Sequence, residues 1–191
     1  MSISTFRRLG SASLLLLAAA VPAGRSFGAT DIILGNGGFE AGLAAPWGTG
    51  QYSSGRGLWW NSGNCRSRVE LDETDAMHGL VSLHIINPSN RAPNVYGTTA
   101  QLIPITPNQP YRITLWAQGL KLASRGAVTI VVDDAWTVRP IALPAGTYSW
   151  TRLSGTFSLP ADHASIRILS EDAGDAWLDD ISITPLESAL Y

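Results

Sequence analysis

The feature that most constrains this chain is its periodicity. Beyond residue 30, apolar side chains recur at every second position in short runs, and Gly, Pro, Asn and Asp cut the runs apart. Successive side chains of an extended strand point to opposite faces, so such alternation specifies strands with one buried face; the spacing of a helix is nearly absent. Residues 111–118 are the clearest case. Tyr111, Ile113, Leu115 and Ala117 share one face, and Arg112, Thr114, Trp116 and Gln118 the other. Further strands are predicted at 81–86, 95–103, 150–159 and 165–169, with the β-branched run 127–132 as a central strand. The last strand, 176–183, breaks phase: Leu178 faces inward, yet so do Ile181 and Ile183. One extra residue at Asp179-Asp180, a β-bulge, restores the register. Turn chemistry at 108–110, 144–146 and 172–175 punctuates the runs. The prediction is one all-β domain over residues 31–185, a β-sandwich of two antiparallel sheets with eight or more strands, followed by a short tail at 186–191.

The chain of 191 residues is long enough for one domain, and a core of that size needs neither metal nor disulfide. Its 13 Lys and Arg are spread thinly over a chain of net charge −2, which excludes the basic stripe of a nucleic-acid binder. Arg7 and Arg8 precede the apolar run 13–21, which is too short to span a bilayer comfortably. Residues 1–23 therefore read as a secretory signal peptide, with small residues before a cleavage site at Ala23 or as late as residue 28; an uncleaved anchor helix is the alternative. Cleavage would leave 11 basic against 15 acidic residues and a charge of −4. The expected location is outside the cytoplasm, secreted or periplasmic, with no membrane span in the mature chain. Cys65 is the single cysteine, so no internal disulfide forms, and its neighbours Asn64 and Arg66 supply no base. It is expected to be a small, partly buried side chain.

Five pieces, in order, carry a resemblance: 36–47 (NGGFEAGLAAPW), 78–85 (HGLVSLHI), 100–116 (AQLIPITPNQPYRITLW), 148–160 (YSWTRLSGTFSLP) and 176–183 (AWLDDISI). Together they span about 150 residues and resemble the carbohydrate-binding modules of families 4, 9 and 22, which are galactose-binding-like β-jelly rolls attached to bacterial glycan-degrading enzymes. The segment 48–68 is the least familiar part. The resemblance implies a jelly roll that binds a polysaccharide or oligosaccharide and performs no catalysis.

It also implies a structural Ca2+. Calcium takes six to eight oxygens, mixing carboxylates with carbonyls from tight turns. Residues 37–40 (Gly-Gly-Phe-Glu) join such a turn to a carboxylate, and Asp179-Asp180 bring two more from the far end of the chain. Carried over residue by residue, the resemblance implies the carbonyls of Gly38 and Gly79 and the carboxylates of Glu40 and Asp179. The alternative is that both acids simply accept loop amides. The acidic group Asp72, Glu73 and Asp75 is expected to be a solvated loop.

For the glycan, flat aromatic plates beside hydrogen bonders suit the apolar C–H faces and polar rims of sugars. Tyr52, Trp59 and Trp60 lie in a Gly/Ser-rich segment, where two adjacent indoles are hard to bury together; the alternative is that they cover a sheet edge. In the resembling modules the face carrying Arg112, Trp116 and Gln118 receives the glycan. Gln101 and Arg167 are expected on the same surface, and Trp136 at its rim. Trp150, Trp177, Trp47 and Phe39 are assigned to framework. The resulting expectation is geometric: the two ends of the mature chain meet at a cation, leaving a tryptophan-lined trough on the opposite layer.

Catalysis is not expected. Glycoside hydrolysis usually needs two carboxylates flanking the bond, and Asp133, Asp134, Glu171 and Asp175 are all expected in turns. His78, His84 and His163 lack metal-ligand spacing, and no nucleophile-elbow or phosphate-loop motif occurs. The competing readings are a structural, adhesion or protein-interaction sandwich and a small hydrolase or lyase.

Overall fold

The computed structural model describes residues 34–48, 60–62 and 64–186; the signal-peptide reading, Tyr52, Trp59 and all of the tail but Leu186 lie outside the described residues. Among the described residues there are nine strands and no helix: β1 (Arg68–Asp72), β2 (Ser82–Asn87), β3 (Gly97–Pro104), β4 (Tyr111–Leu122), β5 (Val128–Val131), β6 (Ile141–Ala142), β7 (Gly146–Phe157), β8 (His163–Ser170) and β9 (Gly174–Pro185). They form two antiparallel sheets, one in the order β1-β2-β9-β4-β7 and the other β3-β8-β5-β6. This is the predicted all-β sandwich, and every run read from alternation falls on a strand. The two strands not predicted, β1 and β6, are respectively charged on its outer positions and only two residues long.

The inward positions close one core. Leu83, Ile85, Ile113, Leu115, Leu178 and Ile183 from the five-stranded sheet meet Ile103, Ile130, Ile166 and Ile168 from the other. Burying each such side chain fully stabilises by roughly 1.5–3 kcal/mol, which is what sets the register of every strand.

β9 carries the predicted bulge. Between Thr114 and Trp116 of β4, the partner moves from Ser182 to Asp179, so three steps on β9 oppose two on β4. Asp180 takes the strain, at φ +50°. The bulge keeps Leu178 and Ile181 both inward and turns consecutive carboxylates, Asp179 and Asp180, toward the N-terminal segment.

That segment is fastened to β9. Phe39 stacks on Trp47 with ring centroids 6.0 Å apart, and the Trp47 indole N–H donates to the carbonyl of Asn36 at 2.9 Å. The Ile181 amide donates to the Gly37 carbonyl at 3.0 Å, and a methyl group on Gly37 would collide with the Ile181 carbonyl. The framework role expected of Phe39 and Trp47 is thus what they perform.

Candidate functional site

The two ends of the described chain meet where expected. Glu40 Oε1 accepts the amides of Leu80 (2.9 Å) and Val81 (3.3 Å), which places the carboxylate against Gly79. Asp179 is fully buried; its Oδ2 accepts Met77 and His78 amides at 3.0 and 2.9 Å, and its Oδ1 accepts the Asp180 amide at 2.7 Å. A methyl on Gly38 would stand 3.3 Å from Asp180 Oδ1 and 3.6 Å from Asp179 Oδ1. Gly38, Glu40, Gly79 and Asp179 therefore share one corner, with Asp180 beside them and its carboxylate against the His78 imidazole. Desolvation by burial pushes the Asp179 carboxyl above its ordinary range, and the neighbouring Asp180 charge adds to this against the opposing amides. Both acids do accept loop amides, as the alternative had it. Acceptor capacity nonetheless remains: among the described residues nothing donates to Glu40 Oε2 or to the carbonyls of Gly38 and Gly79. A buried carboxylate held by neutral amides, with spare oxygens around it, is chemistry that fits a hard cation. Among the described residues no three His, Cys, Asp or Glu side chains converge on a point, so carbonyls would have to complete such a site.

The outer face of the five-stranded sheet carries most of the polar organisation. The acidic loop after β1 is not the solvated loop expected. Asp72 Oδ2 accepts the Trp177 indole N–H at 2.8 Å, and Asp75 accepts the Trp150 indole (2.8 Å) and the Gln118 amide (2.6 Å). Bonds from Thr74 and Trp177 hold the Asp72 carboxyl down at about 2. His84 stacks flat on Trp177, with centroids 4.1 Å apart. Trp150 and Trp177 are accordingly framework, and Gln118 is committed to Asp75.

Trp116 escapes this network. It is half-buried, with the His78 ring edge-on at 6.0 Å, and lines an open recess of about 580 Å³ with Thr114, Arg152, Asp180, Ser182 and the Gly37-Gly38 turn. A second recess of about 540 Å³ shares Thr114 and Arg152 and continues to Arg112, Ser154 and Thr156. The two make one trough along β9, β4 and β7. Its floor is set by register: Trp116 lies opposite Arg152, Thr114 opposite Ser154 and Ser182, and Arg112 opposite Thr156 and Thr184.

The remaining predicted residues lie elsewhere. Arg167 and Trp136 belong to the other sheet, so they cannot share a groove with Trp116. Arg167 is fully buried on the outer side of β8, where its guanidinium lies 4.4 Å from the centre of the Trp136 ring and donates to Ser165 Oγ at 2.8 Å. Tyr96 meets Trp136 edge-on at 5.0 Å. Alternation gave Arg167 the correct outward phase but not its sheet. Gln101 has the wrong phase: it is paired with inward Ile166 and grips the Gly35 backbone through both amide atoms, at 2.8 and 2.9 Å. Adjacent Leu102 and Ile103 made the phase ambiguous, and Leu102 is the one left 49% exposed. Trp60 covers a sheet edge, donating to Ser67 Oγ at 3.1 Å and packing over Gly97 of edge strand β3. The trough also adjoins the Asp179–Asp180 corner instead of lying on the opposite layer, because β9 contributes to both. Of the predicted glycan residues the trough holds Arg112 and Trp116; its other polar lining, Arg152 and His78 foremost, went unpredicted. Arg152 is detectable by alternation within β7, whereas only the folded chain brings His78 there.

No family model matches this chain, and no curated protein matches it. Solved structures do. TmCBM61, solved in complex with β-1,4-galactotriose, aligns over 82% of this chain and 100% of its own at 16% identity, with a TM-score of 0.52. The enzymatically active domain of tailspike protein 4 of bacteriophage CBA120 aligns over 81% of this chain and 21% of its own, at 14% identity and a TM-score of 0.51. The CBM22-1 xylan-binding domain of Paenibacillus barcinonensis Xyn10C aligns over 68% and 87%, at 15% identity and a TM-score of 0.46. At such identities the likeness establishes architecture: this chain has the β-sandwich fold of carbohydrate-binding modules.

Proposed function

We propose that this chain is an exported, non-catalytic module that binds a stretch of polysaccharide or oligosaccharide in the Trp116 trough, with a structural Ca2+ at the Gly38, Glu40, Gly79 and Asp179 corner. The observation that carries the reading is an indole plate set in an open trough floored by hydroxyls and flanked by guanidinium groups. Stacking on such a plate adds roughly 0.5–1.5 kcal/mol beyond area burial, and hydroxyls that both donate and accept match those of a sugar. The galactotriose complex of TmCBM61 supports an oligosaccharide as the ligand class. Among the described residues lining the trough Asp180 is the one carboxylate, and it is tied to His78, so none of them sets a second acid across a glycosidic bond. Export is supported by the 1–23 segment. The calcium would fasten the chain ends together and do no chemistry.

The test is a glycan array and titration calorimetry on the wild type, Trp116→Ala and Trp136→Ala. Binding to at least one glycan, weakened roughly tenfold or more (about 1.4 kcal/mol) by Trp116→Ala alone, is expected. Loss through Trp136→Ala with Trp116→Ala unaffected would move the site to the other sheet. Absence of binding at millimolar glycan would favour a structural or protein-interaction role instead.

A further inference from the structure

The trough carries an electrostatic asymmetry that alternation alone does not explain. The outer positions of β4 and β7 hold two arginines, Arg112 and Arg152, and among the described residues neither forms an ion pair. Arg91 pairs with Asp172 and Arg139 grips Glu171 at 2.7 Å; other described cations also lack ion pairs, but Arg112 and Arg152 are the two that line the trough. Two unneutralised guanidinium groups on one patch are notable in a chain of net charge −2. The space between them is hydroxyl: Thr114 and Ser182 are bonded to each other at 2.9 Å, with Ser154 beside them. Arg152 lies across from Trp116, and Arg112 is four residues further along β4, roughly 13 Å at strand rise. The Asp180 carboxylate lines the Trp116 and Arg152 end of the trough, against His78, and Arg112 stands at the far end.

We infer that the trough selects acidic glycans, a run of sugars bearing carboxylates that Arg112 and Arg152 receive while Trp116 stacks on a ring. This rests on the glycan-binding reading of the same trough. A guanidinium fork presents donors in the geometry of a carboxylate and binds it bidentately, whereas a neutral sugar leaves that capacity to water. The backbone positions of the two arginines stand further apart along the strand than one sugar ring, which suits a chain better than a single uronic acid. The hydroxyl floor and the indole are what a sugar needs and a simple polyanion does not.

The test uses the full chain and titration calorimetry with tetragalacturonate, its neutral galactotetraose counterpart and polyglutamate, at about 50 mM and about 500 mM NaCl. Tetragalacturonate should bind at least tenfold more tightly than the neutral oligomer at low salt. That preference should shrink at high salt and vanish in Arg112→Gln/Arg152→Gln, whose melting temperature should match the wild type because both side chains are exposed. Trp116→Ala should weaken tetragalacturonate but leave polyglutamate unaffected. Equal or tighter binding of the neutral oligomer overturns the acidic preference and leaves the glycan reading intact. Polyglutamate binding as tightly as tetragalacturonate, with no effect of Trp116→Ala, marks a generic anion patch and also overturns it. Failure of every oligosaccharide to bind overturns both readings.

Discussion

Gly79 offers a quantitative test of the corner where the chain ends meet. It adopts φ +68°, and a methyl group there would collide with Glu40 Oε1. Gly79→Ala therefore carries two separable costs. Holding a non-glycine residue in the left-handed region costs about 1–2 kcal/mol. The Glu40 side chain must also withdraw from the Leu80 and Val81 amides, exposed bonds worth about 1 kcal/mol together after allowance for solvent. The sum, about 2–3 kcal/mol, corresponds to a melting temperature lowered by roughly 4–12 °C for a domain of this size. In a Glu40→Ala background the second cost has already been incurred, so Gly79→Ala should lose only the backbone part. Urea unfolding of the four proteins should give a coupling of about 1 kcal/mol between the two positions. Equal costs in both backgrounds would refute the claim that Glu40 packs against Gly79. The same proteins test the proposed cation: at Ca2+ about a hundredfold above its Kd, the wild type should gain about 2.7 kcal/mol over chelated protein, and Glu40→Ala much less.

Three further outcomes are expected. Asp75→Ala strips the acceptor from the Trp150 indole and the Gln118 amide, both half-buried, and should cost about 2–3 kcal/mol in urea unfolding; a cost under about 0.5 kcal/mol would mean that water replaces Asp75 without penalty. Leu178→Ala, fully buried at the centre of the five-stranded sheet, should cost about 2–5 kcal/mol by the same assay, and a surface-like effect would contradict the sandwich packing. His163 lies 3.0 Å from Asp134 and 2.9 Å from Asp162, and these carboxylates, Asp134 foremost, raise its pKa. A raised folded pKa stabilises fully below the unfolded value of about 6.5 and is lost as pH rises through the folded one. Asp134 sits in the turn that carries Trp136, so tryptophan fluorescence should show a titration step with its midpoint above the ordinary histidine value in the wild type and stay flat over that step in His163→Gln. An unchanged profile in the variant would dismiss the contact.

What the amino-acid order settles here is local. Alternation in 111–118 names its buried and open faces without any knowledge of the rest, because side-chain direction in a strand depends only on parity. The bulge at Asp179-Asp180 is legible for the same reason: Leu178 and Ile181 cannot both face inward on an unbroken ladder. The Glu40 and Asp179 corner was visible only through resemblance, since the two acids lie 139 positions apart. Parity fails where apolar residues are adjacent, as with Gln101 beside Leu102 and Ile103. It is also silent on which sheet a strand joins. Arg167 and Trp116 both point outward, yet β8 and β4 lie in different sheets, so their side chains stand on opposite outer surfaces. The acids that anchor Trp177 and Trp150 lie 105 and 75 residues away from them, and nothing in the short segment after β1 announces such partners. Strand faces follow from neighbours one and two positions away; strand pairing, and with it the placing of Arg152, His78 and Asp180 around Trp116, follows from burying all the apolar faces at once, which only the whole chain can do.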